Sequence, residues 1–186
     1  LAVGGDLSPI RLIKAYRHGI FPWFSEDEPI LWWSPNPRTV LYPDKIKISR
    51  SLRKTLRRGH FEVSVDPAFE QVIRACAAPR AQHPGTWLMP EMIAAYCTLH
   101  AQGHAHSIEV WRGTELAGGL YGVAIGQVFF GESMFFRERD ASKSALVHLA
   151  RRLAARGFAL LDVQFLTPHL AQFGCVEIPR AAYLDR

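Results

Sequence analysis

Residues 128–164 read VFFGESMFFRERDASKSALVHLARRLAARGFALLDVQ, and this stretch decides the fold. An apolar strand runs over 128–134 and closes on Gly131-Glu132-Ser133-Met134-Phe135. A charged loop follows, and Asp140 stands where a helix cap belongs. Residues 141–156 form an amphipathic helix whose apolar face is Leu146, Leu149, Ala150 and Leu153, and Gly157 ends it. A second apolar strand, 159–165, carries Asp162 and Gln164. Strand, helix, strand is thus the central unit. Glu132 and Asp162 are acids inside otherwise apolar strands, where a carboxylate needs a partner or a shifted pKa. Such placements are candidates for chemistry.

Upstream the pattern is also β. Residues 107–111 alternate, Arg112-Gly113-Thr114 turns, residues 115–125 are apolar and glycine-laden, and Gly126-Gln127 turns into the central unit. This predicts an antiparallel three-strand meander. Before it come a strand over 61–66, a helix capped by Asp66-Pro67 and running through about Ala77, a loop over 78–85, and a helix over 91–102 ended by Gly103. After the central unit, residues 174–180 read as a final short strand followed by a tail.

The start of the chain has another texture. Asp6 or Ser8 caps a short helix with Pro9 at its first position, and Gly19 stops it. Phe21-Pro22-Trp23-Phe24 and Ile30 to Arg38 are then rich in aromatics and prolines, which precludes a long helix or a central strand. Two readings stand here: a packed loop cluster, or a stacking surface for a base. The best domain boundary lies at Pro35–Pro37, giving a small N-terminal domain, 1–37, and a main domain, 38–186.

A short strand over 39–42 leads to a basic segment. From Lys45 to Arg58 there are seven cations and no acid. Ile48, Leu52 and Leu56 recur every four residues, so at about 100° per residue Arg50, Arg53, Lys54, Arg57 and Arg58 fall on the opposite side. A face of one sign repels itself, which favours a phosphate backbone as partner over a merely solvated surface.

The bulk numbers agree with a globular chain of one domain plus a small addition: 186 residues, 48% hydrophobic, 21% charged. The net charge is +5. No run is long enough to span a bilayer, no basic-then-apolar leader is visible, and the first residue is Leu1, so further residues are expected upstream. Cys76, Cys97 and Cys175 are odd in number and scattered, which points to a reducing cytoplasm. His100, His104 and His106 lie near Cys97, but His100 and His104 straddle the helix terminator Gly103 and no second cysteine or carboxylate completes a site, so no metal is expected.

The order βββ-α-β matches GNAT-type acyltransferases by pattern. Those enzymes seat a pyrophosphate on a glycine-rich turn at the start of the helix. Here Phe136-Arg137-Glu138-Arg139-Asp140-Ala141 has no glycine and two acids, which argues against acyl-CoA. Gly131-Glu132-Ser133-Met134-Phe135 lacks the second glycine of a nucleophile elbow.

Six motifs together are specific. Gly4-Gly5-Asp6-Leu7-Ser8, Gly19-Ile20-Phe21-Pro22-Trp23-Phe24, Trp32-Trp33-Ser34-Pro35, Gly103-His104-Ala105-His106-Ser107-Ile108-Glu109-Val110-Trp111, Gly131-Glu132-Ser133-Met134-Phe135 and Leu161-Asp162-Val163-Gln164 resemble the leucyl/phenylalanyl-tRNA–protein transferase family along essentially the whole chain. The resemblance implies an α+β fold: a GNAT-like domain with a mainly antiparallel mixed sheet, plus a small N-terminal domain. It implies a cytoplasmic aminoacyltransferase of the leucyltransferase type. Such an enzyme moves Leu or Phe, with Met as a further donor, from aminoacyl-tRNA to proteins that begin with Arg or Lys, marking them for degradation. No cofactor, no membrane and a monomer are expected. The rivals are a CoA-dependent N-acyltransferase on the same fold and a non-catalytic tRNA-binding module.

The resemblance also assigns residues. Asp162 matches the proposed catalytic aspartate, with Gln164 on the same strand face. Asp162 either accepts the amine's proton or only positions the incoming cation. Glu132 either holds the donor's α-ammonium or joins Asp162 in a negative pocket for the acceptor. Leu120, Phe129, Met134, Leu146, Leu149, Leu153 and Leu161 match the wall of the donor side-chain pocket, although the helical ones read equally as core. Trp23 and Trp87 match residues that sandwich the terminal adenosine. Arg50, Arg53, Lys54, Arg57 and Arg58 match the tRNA-backbone surface.

Overall fold

The fold is taken from a computed structural model that describes residues 1–78 and 88–185. The N-terminal part holds β1 (Ala2–Val3), α1 (Pro9–Arg17), β2 (Phe21–Pro22) and β3 (Leu31–Trp33), with the three strands in one antiparallel sheet of order β1-β3-β2. The rest comprises β4 (Arg38–Leu41), α2 (Arg50–Arg57), β5 (Glu62–Val65), α3 (Phe69–Ala77), α4 (Pro90–Ala101), β6 (Ala105–Arg112), β7 (Glu115–Ile125), β8 (Val128–Phe136), α5 (Ala141–Ala155), β9 (Leu160–Gln164), α6 (Pro168–Ala171), β10 (Val176–Ile178) and α7 (Arg180–Leu184). Seven strands form one sheet in the order β10-β4-β9-β8-β7-β6-β5. Every pairing is antiparallel except β8 with β9, which the α5 crossover makes parallel. The predicted meander is β6-β7-β8, and the mixed α+β sheet agrees with the pattern expected of a GNAT-like domain.

The sheet is covered on both faces, as a strand buried on both sides requires. One face carries α5. There Leu120, Phe129, Leu146, Leu149, Leu153 and Leu161 join Leu41, Leu52 and Phe173 in one apolar cluster. The other face carries α3, α4 and the N-terminal part, whose Leu12, Tyr16, Phe21 and Trp32 share a cluster with Phe69, Met92, Tyr121 and Phe130.

Three expected caps take other roles. Asp66 has φ +76° and precedes α3, whose cap is Ala68; its carboxylate instead accepts from the Ser107 N–H at 2.9 Å and meets His106 Nδ1 at 2.8 Å. Asp140 stands at the cap of α5 with φ +67° but makes no side-chain cap bond; it pairs with Lys143 at 3.1 Å and accepts from Thr55 Oγ1 at 3.4 Å. Ser8 caps α1 by position only, while Asp6 accepts from its N–H at 2.9 Å. In each case a short acid satisfies local backbone or a tertiary partner rather than the first helical turn.

The pairing of β7 with β8 slips by one residue. Tyr121 faces Ser133 and Gly122 faces Gly131, so Glu132 is the extra residue of a β-bulge. Gly122 makes the slip feasible, because a Cβ there would collide with the Phe130 carbonyl oxygen and the Phe129 ring. Gly122→Ala is therefore expected to destabilise by about 3 kcal/mol or more, since backbone rather than a flexible side chain must move. Urea unfolding checks it, and a loss below about 1 kcal/mol would show that the strands part freely.

Candidate functional site

The two parallel strands separate where the polar residues lie. β8 and β9 pair from Val128↔Leu160 to Phe130↔Asp162 and no further, whereas β8 continues beside β7 to Phe136. Glu132 lies on β8 just beyond the last pair, and Asp162 and Gln164 lie on β9 at the same end.

Asp162 is fully buried and its oxygens are fully used. Oδ1 accepts from Arg38 Nε at 2.9 Å and from the Gln164 N–H at 2.9 Å. Oδ2 accepts from Arg38 Nη2 at 2.6 Å and from the Tyr183 hydroxyl at 2.6 Å. Arg38 is also fully buried, lies over the rings of Phe21 and Tyr183, and donates from Nη1 to the Gly19 carbonyl at 3.1 Å. Burial, with the neighbouring Asp162 charge, pushes the Tyr183 phenol above its ordinary pKa, so it stays a donor. Gly19 is required twice over: φ is +67°, and a Cβ would come 2.6 Å from the Tyr183 ring.

This corrects one expectation. Asp162 and Glu132 do not form a joint negative pocket, because the charge of Asp162 is spent on Arg38. Nor does Asp162 offer a free lone pair to an incoming amine. What it does is hold Gln164, whose φ of +59° is costly for a residue with a side chain and is stabilised by that N–H bond to Oδ1.

Glu132 is the unneutralised acid of the group. It is half-buried, accepts from the Tyr96 hydroxyl at 3.1 Å and from Gln164 Nε2 at 3.4 Å. Tyr96 in turn lies 2.6 Å from the Tyr16 hydroxyl. Because Tyr96 gives its proton to Glu132, Tyr16 must be the donor to Tyr96. Burial raises the Glu132 carboxyl to about 7, against the pull of the neighbouring tyrosine hydroxyls and with a further push from Asp162. Burial and the Glu132 charge also push both phenols well above their ordinary value.

Trp23 is 44% exposed and sits beside this end of the sheet. Its ring centroid is 5.7 Å from Phe165, the residue after Gln164, and 6.0 Å from Trp33, whose Nε1 donates to the Trp23 carbonyl at 2.7 Å. A stacking platform is thus available next to Gln164. Trp87, its expected counterpart, lies outside the described residues. Phe165, Arg38, Tyr183, Tyr16 and Tyr96 complete the site and were not singled out from sequence. The exposed aromatic directly after Gln164 is the one signal that could have pointed to Phe165.

The expected pocket residues are found on the α5 face, opposite to the Asp162 side chain. Leu120, Phe129, Leu146, Leu149, Leu153 and Leu161 are 1–3% exposed and closely packed, and Met134 packs beside them half-buried. Gly131, one residue past the last β8–β9 pair, lies between the two groups: a Cβ there would be 3.5 Å from both Leu161 and the Asp162 carbonyl. Arg50, Arg53, Lys54 and Arg57 on α2 and Arg58 at its C-terminal cap are all exposed, and Ser49 caps the helix start through its hydroxyl. Leu52 buries against the main domain and α2 packs on α5. Among the described residues no group of three or more His, Cys, Asp or Glu is placed to hold a metal, and no helix is long and apolar enough to cross a membrane.

Sheet order and the α5 crossover between parallel strands give a GNAT-like fold. The chain belongs to the leucyl/phenylalanyl-tRNA–protein transferase family: the model of that family matches residues 40–186, and the model of its N-terminal domain matches residues 5–36. A leucyl/phenylalanyl-tRNA–protein transferase of Nitrosomonas eutropha is 62% identical over 98% of this chain and 78% of its own length. One of Chromobacterium violaceum is 60% identical over 99% of this chain and 79% of its own. An aminoglycoside acetyltransferase from a soil metagenome superposes with a TM-score of 0.49 at 15% identity, covering 63% of this chain and 86% of that one.

Proposed function

We propose that this protein transfers a leucyl or phenylalanyl group, with methionyl as a further donor, from aminoacyl-tRNA to the α-amine of proteins that begin with Arg or Lys. The observation that carries the reading is Gln164, held in a left-handed turn on buried Asp162 with its side-chain amide on Glu132, beside the exposed Trp23–Phe165 platform. In the reaction the neutral amine attacks the ester carbonyl. The carbon–oxygen bond to the terminal ribose breaks, the ribose oxygen leaves with a proton, and a peptide bond remains. The ester is already activated, so orientation supplies most of the acceleration and no cofactor is required.

The residues divide this work by their surroundings. Ionised Glu132 pairs with the donor's α-ammonium. Gln164 positions the reacting groups through its amide. Asp162, closed off by Arg38 and Tyr183, acts through Gln164 as a positioning residue. Trp23 stacks on the terminal adenosine, with Trp87 assigned as the second face. The donor side chain enters between β8 and β9 toward Met134, Leu161 and the leucines of α5. The cations of α2 bind the tRNA backbone, where phosphate contacts supply affinity without reading sequence. The carboxylate of Asp140 at the start of α5 is an unfavourable neighbour for a pyrophosphate, which disfavours acyl-CoA. The protein works as a monomer in the cytoplasm and marks its acceptors for degradation.

The test is transfer of labelled Leu or Phe from charged tRNA to an Arg-initiated peptide. Acetyl-CoA turnover without tRNA, or tRNA binding with no transfer, would overturn the assignment. Replacing Arg53, Lys54, Arg57 and Arg58 with Ala is expected to weaken tRNA binding at least ~30-fold near 0.1 M salt and to reduce the slope of log affinity against log salt by about 3. Equilibrium binding at four salt concentrations checks both numbers.

A further inference from the structure

Arginines beyond α2 form a second cationic surface, and the proposed function does not use it. α5 has the sequence ASKSALVHLARRLAA and contains no acid. His148, Arg152 and Arg156 are spaced four apart, so they share one row of the helix and its C-terminal edge. Arg152 and Arg156 are exposed. Arg152 borders a groove between α5 and the β5–β6 edge of the sheet. Its floor is Phe61, Val63, Val65 and Ile108, and its walls carry His148 and Arg152. Arg152 and Arg156 continue along an adjoining groove past His106.

The groove begins where α2 ends. Arg57 and Arg58 are followed by Gly59, His60 and then Phe61, which is already part of the floor. α2 itself packs on α5 and is tied to the α5 start through Thr55 and Asp140. The cations of the two helices therefore make one continuous track. Along α5 the row from His148 to Arg156 extends for about 12 Å at 1.5 Å per residue.

The charge along this track is not neutralised by the protein. Among the described residues, neither Arg151, Arg152 and Arg156 nor the α2 cations have a carboxylate within ion-pair distance. Acids do lie nearby, but they are engaged or turned away. Asp66 holds His106 and the Ser107 N–H, and Asp140 holds Lys143. Glu62 alternates with Phe61 and Val63, so it shares the far face with Ser64. The His148 imidazole is held below its ordinary pKa, first by burial and then by the charge of Arg151, which is the field expected of unpaired neighbours.

We infer that the groove between α5 and β5, edged by Arg152 and Arg156, is a second phosphate-binding segment that continues the α2 surface and engages a stretch of tRNA backbone remote from the aminoacyl end. This rests on aminoacyl-tRNA being the donor. An RNA fits better than a membrane because the track is a channel with an apolar floor. A flat lipid surface would meet the exposed faces of both helices at once, but it would leave the groove empty.

The experiment compares wild type with R152Q/R156Q, both exposed positions whose replacement leaves the core intact. Binding of deacylated tRNA is measured across a salt series, so the result does not depend on whether transfer occurs. The expected outcome is a ~5- to 20-fold loss of affinity near 0.1 M salt and a slope smaller by about 1.5, as for two lost phosphate contacts. Transfer from a minimal donor, aminoacyl-adenosine, is expected to be retained, since it has no backbone to reach the groove. An unchanged affinity and slope would overturn the inference. So would equal loss with the minimal donor, which would mean damage to the fold. Binding of wild type to phosphatidylglycerol vesicles, lost in the variant while tRNA binding is unchanged, would reassign the surface to a membrane and overturn it as well. Absence of transfer in wild type with either donor would defeat the proposed function, and the tRNA isotherm would still be readable.

Discussion

Arg38→Met is expected to lower stability by about 3–5 kcal/mol, because it leaves the carboxylate of Asp162 buried without its counter-charge. Asp162 has no exposed surface, and water cannot replace what the guanidinium supplies. With a urea slope of about 2 kcal/mol/M, the midpoint would fall by roughly 2 M. The effect on transfer separates two roles for Asp162. Asp162→Asn keeps an oxygen for the Gln164 N–H while removing the charge, and its amide nitrogen takes the place of the oxygen that accepts from Tyr183. If Asp162 positions Gln164, the folded fraction of this variant retains transfer within about tenfold of wild type. A general base in that place would be worth about 10²–10⁴-fold, so a loss of that size in folded protein refutes the positioning role. The double variant Arg38→Met with Asp162→Leu sharpens the contrast. It is expected to recover much of the stability, as apolar replacements of buried ion pairs do. It should remain poor in transfer, because the Gln164 N–H then has no acceptor and its left-handed turn loses support.

The part of this site that was legible from sequence is local, and the part that was not is long-range. The strand–helix–strand unit around α5 shows in the switch from an apolar run to a four-residue repeat and back, and the acids within it stand out against apolar neighbours. The α2 stripe is legible for the same reason. Arg38 is separated from Asp162 by 124 positions, and nothing in Pro35-Asn36-Pro37-Arg38 announces a buried cation. Only the antiparallel pairing of β4 with β9 brings the two together. Tyr183 comes from a tail that reads as featureless. The bulge at Glu132 depends on the close approach of the Phe130 carbonyl to Gly122, which is a property of two paired strands and not of either alone. Asp66 and Asp140 show the same limit from the other side. Each has the residue type of a helix cap, and each is claimed by a partner from another element: His106 in one case and Thr55 in the other. The pocket leucines of α5 remained ambiguous because a pocket wall and a core share one apolar pattern, and here they are packed as core.

Glu132 gives the second large effect, and its sign can be worked out. Its carboxyl has an ordinary value of 4.5 and is raised to about 7 in the folded protein. Between those two pH values the folded state keeps a proton that the unfolded chain has released. Stability from this group therefore falls as pH rises through that window, and the loss is complete above about pH 7. At about 1.4 kcal/mol for each pH unit the difference is on the order of 3 kcal/mol. Glu132→Gln removes the titration while keeping an acceptor for Tyr96. The variant is thus expected to be more stable than wild type by up to about 3 kcal/mol at pH 8, and to approach it near pH 4.5. Activity should move the other way. An ionised Glu132 facing the donor's ammonium makes a charge-assisted bond of about 1.5–3 kcal/mol, so the variant should lose about 10- to 100-fold in kcat/KM at pH 8. The ratio of wild type to variant is the decisive quantity, because the titration of the acceptor amine cancels in it. That ratio should rise from near unity at pH 5.5 to its full value above pH 7. Turnover gained at the expense of stability is what a carboxylate kept half-buried for an ammonium must produce. A variant that loses both stability and activity at pH 8 would instead make Glu132 an ordinary structural partner of Tyr96.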